Sequence, residues 1–170
     1  SEIDGFKVNG RRIAALVRLA DEFSERSRRA DSIALETRKP SESYLPNYFC
    51  QSVNVKIDSA SRSASMDFHV EKSSLTEMHP DPENGNKGTL IVDYIAKRLD
   101  KADLERRYCN RFLSGWRPMD TFRSSIKIYE NDVEIDALSA TLSDTGYPSL
   151  NRTPAFDGEA IKSKFSELVK

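Results

Sequence analysis

The stretch from Val53 to Glu71 does most to limit what this chain can fold into. Val53, Val55 and Ile57 alternate with Asn54, Lys56 and Asp58; Ala64, Met66, Phe68 and Val70 then alternate with Ser65, Asp67, His69 and Glu71. A period of two turns one set of side chains to a core and the other to water, so both runs predict half-buried strands. The link from Ser59 to Ser63 is short enough for a hairpin. A second hairpin is signalled by Ile126 and Ile128, a tight turn at Asn131-Asp132, and a return through Val133 and Ile135. Beyond it, Ala137, Leu138, Ala140 and Leu142 leave the phase set by Val133 and Ile135. That change of phase means a bulge, an outward-facing apolar patch, or a strand giving way to a short helix.

Helical spacing appears in three places. Ile13, Leu16, Val17, Ala20 and Phe23 recur with a period of 3.6 and predict the buried face of an N-terminal helix. Asn9 is its N-cap, Val8 and Ile13 form a staple, and Arg18/Glu22 and Glu25/Arg29 pair on its wet face. The helix should fade past Arg29. Thr89 to Ala96 fits either a buried strand or the start of a helix. The favoured reading is a strand from about residue 90, then a helix capped by Asp100, with Leu104, Tyr108 and Phe112 as its buried stripe and Gly115 as its stop. A final helix after Asp157 buries Ile161, Phe165 and Leu168. Loops are expected near residues 39–47, 79–88 and 143–155, where Pro, Gly, Asn and Ser gather.

Hairpins separated by helices give an α+β fold: an antiparallel or mixed sheet from two hairpins plus a further strand, with N-terminal, central and C-terminal helices packed on it. At 170 residues the chain suits one domain spanning residues 1–170. His79-Pro80-Asp81 resembles the loop tripeptide of J-domain co-chaperones. The resemblance stops at three residues, because a strand pattern and not a basic helix precedes it, so membership is rejected.

Charge excludes some functions. Twenty-six basic against 27 acidic side chains leave a net charge of -1, so no whole-molecule field draws in nucleic acid or an anionic membrane. No apolar run approaches a membrane span, and the first residues lack the pattern of a signal peptide. Cys50 and Cys109 have no CxxC or Cys/His neighbour, which disfavours zinc; one bridge between them is open, and two free, partly buried thiols are the favoured reading. Together these features predict a cytoplasmic chain with no cofactor and no membrane partner.

The chemistry-bearing candidates are few. Asp67, His69 and Glu71 project from one face of a strand and include metal-ligand types, but that face must be polar in any case. No nucleophile elbow and no phosphate-cradling glycine loop is present, which points away from an enzyme. Basic residues concentrate locally. Lys97, Arg98, Arg107, Arg111 and Arg117, with Trp116 beside them, suit phosphate contacts with base stacking. The first expectation is a non-catalytic protein-interaction or assembly module, self-association included; the alternative is a nucleic-acid binder using that Arg/Lys patch.

Overall fold

The computed structural model describes residues 2–3, 6–7, 9–24, 53–81, 84–85, 87–115, 118–143, 146–148 and 158–168. In chain order these form β1 (Glu2–Ile3), β2 (Phe6–Lys7), α1 (Gly10–Glu22), β3 (Val53–Asp58), β4 (Ser63–Glu71), β5 (Met78–Asp81), β6 (Lys87–Leu90), α2 (Ile91–Leu113), β7 (Thr121–Glu130), β8 (Val133–Ser143) and α3 (Gly158–Phe165). The loop expected near residues 39–47, the helical continuation to Arg29, Val8 of the staple and Cys50 lie outside the described residues.

The central sheet runs in the order β3-β4-β7-β8 and is mixed. Both predicted hairpins are there, β3 with β4 and β7 with β8, each antiparallel. The two are joined by a parallel pairing of β4 with β7, from Ser63 opposite Thr121 to Glu71 opposite Tyr129. Parallel neighbours need a long crossover, which β5, β6 and α2 supply. The fold is α+β, as the alternation of hairpins and helices implied.

The second hairpin resolves its own phase problem. Asn131 and Asp132 both take positive φ, 52° and 64°, the condition for a two-residue turn that matches the twist of its strands. A register shift follows at once: Ile128 faces Asp136 while Tyr129 faces Glu134, so Ile135 is the extra residue of a bulge. Ile135 and, at the hairpin tip, Val133 are exposed to solvent, whereas Leu138, Ala140 and Leu142 beyond the bulge pack against the core.

Ala64, Met66, Phe68 and Val70 of β4 and Phe122, Ile126 and Ile128 of β7 line the inner face of the sheet. They form one hydrophobic cluster with Ala15, Leu19 and Phe23 from the first helix and its end, Ile95, Leu99 and Leu113 of α2, and Ile161 and Phe165 of α3. Phe23 meets Phe122 edge-on, with ring centroids 5.5 Å apart. Losing either ring from so closed a site would cost about 3–5 kcal/mol.

Several expectations are corrected. The central helix starts at Ile91, not after Asp100, because Ile91, Ile95, Leu99, Ala102, Arg106, Cys109 and Leu113 form one continuous buried stripe over 23 residues. The anticipated strand survives only as β6, which ends at Leu90. Leu104 is 38% exposed, and Tyr108 and Phe112 are half-buried at the rim rather than central to the core. His79-Pro80-Asp81 is not a loop: it belongs to β5, paired with β6, where Pro80 lies opposite Gly88 and the His79 and Asp81 side chains are buried. Burial favours the neutral form of His79 and lowers its pKa, with Glu77 opposing the shift.

Helix α1 has the predicted cap, with Asn9 Oδ1 accepting from the Arg12 N–H at 3.2 Å. Its orientation is not the predicted one. Ala15 and Leu19 face the core, followed by Phe23 just past the helix end, while Ile13, Leu16, Val17 and Ala20 face outward. Among the described residues no helix is long and apolar enough to cross a membrane.

Candidate functional site

The carboxylates and imidazole of Asp67, His69 and Glu71 stand on the outer face of β4, as alternation requires. They do not converge. The ladder sets His69 opposite Lys127 and Glu71 opposite Tyr129, and the His69 ring tilts against that of Tyr129 at 5.0 Å. Lys127 donates to Glu134 Oε2 at 2.7 Å, which raises the lysine pKa and lowers that of the glutamate. Among the described residues no group of three or more His, Cys, Asp and Glu side chains is placed to hold a metal ion.

The basic residues of α2 separate according to the turn of the helix. Arg98 reaches the buried Glu22 of α1 at 3.7 Å, and Lys101 reaches the same carboxylate at 3.1 Å. Arg107 is 2% exposed and lies 3.2 Å from Asp103, with its Nη1 donating to the Gly146 carbonyl. Lys97 and Arg111 are exposed, fourteen residues and therefore about 21 Å apart along one face. Trp116 and Arg117 lie outside the described residues. The predicted patch is thus split into helix-to-helix ion pairs, a buried brace and two separated surface cations.

The buried brace organises the end of the sheet. Arg106, fully buried, donates to Asp103 Oδ1 at 2.6 and 3.1 Å and to the carbonyls of Met119, Asp120 and Ser143. Its five donors match this set of acceptors in a fixed fork, which a lysine could not reproduce. The cluster ties α2 to the entry of β7 and the exit of β8.

Two surfaces remain that the sequence did not mark as such. The first is the outer side of α1. Ile13 is 47%, Leu16 37% and Val17 63% exposed, a contiguous apolar ridge with Ala20. Beside it lies an open cavity of about 220 Å³ whose lining includes Leu16, Leu19, Ala20, Ile57, Leu113 and Met119 together with Asp58 and Arg62. Ile57, at the end of β3, is 53% exposed and extends the apolar surface across to the sheet. The signal was in the sequence: Ile13, Leu16, Val17 and Ala20 on one side and Ala15, Leu19 and Phe23 on the other make an apolar arc too wide for one-sided packing.

The second surface is aromatic. Tyr108 meets Phe112 and Tyr147 edge-on at 5.5 and 5.3 Å. Arg18 of α1 lies 4.8 Å from the Tyr108 ring centroid while its Nε and Nη2 donate to the two Glu105 carboxylate oxygens, which raises the arginine pKa further. Arg111 sits 5.8–6.0 Å from the centroids of all three rings. Tyr147 arrives from beyond β8, set beside Tyr108 where Arg107 holds the adjacent Gly146 carbonyl. No spacing along the chain announces that meeting.

Comparison with protein family models, with curated proteins and with solved structures finds no match to this chain.

Proposed function

We propose that this chain is a non-catalytic protein-interaction and assembly module, and that a second copy of itself is the first occupant of its contact surface. One observation carries the reading: the outward ridge of Ile13, Leu16, Val17 and Ala20, continuous with the cavity beside it. Isolated surface leucines need no explanation, whereas a contiguous apolar ridge next to an apolar recess marks a contact site. Burial of each large side chain there would contribute about 1.5–3 kcal/mol before the costs of association.

The shape favours self-association. A ridge lying next to a groove on the same surface is self-complementary under a twofold axis, since each copy can offer its ridge to the other's recess. Two-dimensional amide NMR spectra along a dilution series test this. Concentration-dependent shifts gathered in Ile13 to Ala20, Ile57 and Met119 support the reading. Spectra that do not change, or changes confined to the open face of the sheet, oppose it.

A further inference from the structure

Arg111 is the exposed cation of α2 whose surroundings are built from rings. Among the described residues it makes no ion pair, while Tyr108, Phe112 and Tyr147 each present a ring within 6.0 Å of its guanidinium carbon. The neighbouring Arg18 is neutralised by Glu105, so Arg111 supplies the net charge of the cluster. Cation–π contact leaves the guanidinium charge uncancelled. Asp103 and Arg107 brace the loop from beneath through the Gly146 carbonyl, and Gly146 takes φ +85°, a conformation side chains resist. The cluster is thereby assembled before any ligand arrives.

We propose that Arg111, Tyr108, Phe112 and Tyr147 form a binding site for single-stranded nucleic acid. The guanidinium takes a phosphate, and an unpaired base packs against the half-buried Phe112 and Tyr147 rings, the Tyr108 ring being covered by Arg18. An acidic peptide needs the charge but has no use for three rings. A duplex presents phosphates without free base faces, so the rings add nothing to its binding. The site is distinct from the ridge on α1 and does not rest on self-association.

The test is fluorescence anisotropy of labelled RNA and DNA single strands of about 12 nucleotides, of the matching duplexes, and of a poly-glutamate peptide. The intact chain is titrated at about 50 and about 200 mM salt. Single strands should bind in the micromolar range, more tightly than duplex or peptide. Arg111→Gln and Tyr147→Ala should each weaken binding about tenfold. Arg111→Lys should fall between, because it keeps charge and loses the plane. Lys127→Gln, a cation on the open sheet face, should leave binding unchanged. Absence of binding at low salt, equal affinity for poly-glutamate or duplex, or an equal loss in Lys127→Gln and Arg111→Gln overturns the proposal.

Discussion

Asn110 and Met119 pair as neighbouring strands do, although Asn110 lies on a helix. Its Nδ2 donates to the Met119 carbonyl at 2.8 Å and its Oδ1 accepts from the Met119 N–H at 2.9 Å, with both side chains buried. One amide side chain thus satisfies both polar groups of a backbone unit where the chain enters β7. Removing it leaves a buried donor and a buried acceptor with weakened partners. Asn110→Ala is therefore expected to cost about 1–3 kcal/mol in urea unfolding. Asn110→Asp should cost at least as much, because it sets an anion against the carbonyl. A neutral Asn110→Ala would contradict this role.

Arg106 carries the same junction with charge. Arg106→Met empties the fork and leaves the Asp103 carboxylate buried, a loss of about 3–5 kcal/mol for a broken buried pair. Arg107, 3.2 Å from the other Asp103 oxygen, offsets part of it and places the expected loss near the lower bound. The double variant Arg106→Met/Asp103→Leu should recover little, since it removes the stranded carboxylate but takes from the buried Arg107 its partner. Urea unfolding of the two variants checks this.

His79 makes stability depend on pH in one direction. Its folded pKa lies below the ordinary 6.5, so between the two values the unfolded chain binds more protons than the folded one. Stability is present above about pH 6.5 and falls as pH drops through that value toward the folded pKa. His79→Gln should flatten the unfolding midpoint between about pH 7 and pH 5.5. An unchanged slope in the variant would assign the acid sensitivity elsewhere.

Cys109 is buried and free, and burial pushes its thiol up to about 11. At pH near 8 almost no thiolate forms and no reagent reaches it. Alkylation followed by peptide mass spectrometry should find Cys109 unmodified in the native chain and modified once it is unfolded. Prompt native labelling would mean that α2 opens locally.

The hairpins were legible because alternation is a local property: Val53 to Val70 carries it without help from the rest of the chain. The turn at Asn131-Asp132 was legible for the same reason, its residues being among the few that tolerate positive φ. What could not be read was orientation. The period of α1 was right, yet a period does not say which apolar side meets the core, and the smaller set ending in Phe23 does. Asp100 looked like a cap because its sequence neighbours suit one, but the buried stripe from Ile91 to Leu113 runs straight through it. Arg107 looked like a surface cation because arginines usually are; its acceptor Gly146 lies 39 residues away and no local pattern reveals it. The aromatic cluster was missed on the same ground, through Tyr147.

Sedimentation equilibrium across a concentration series, comparing the natural chain with Val17→Asp, decides whether the α1 ridge is a self-association surface. Val17 is 63% exposed, so the variant should keep the stability of the monomer while placing a charge on the ridge. The account predicts a reversible dimer for the natural chain and a monomer for Val17→Asp, with unchanged thermal unfolding once dilution has separated the copies. A natural chain that stays monomeric throughout, or a dimer indifferent to Val17→Asp, would contradict it.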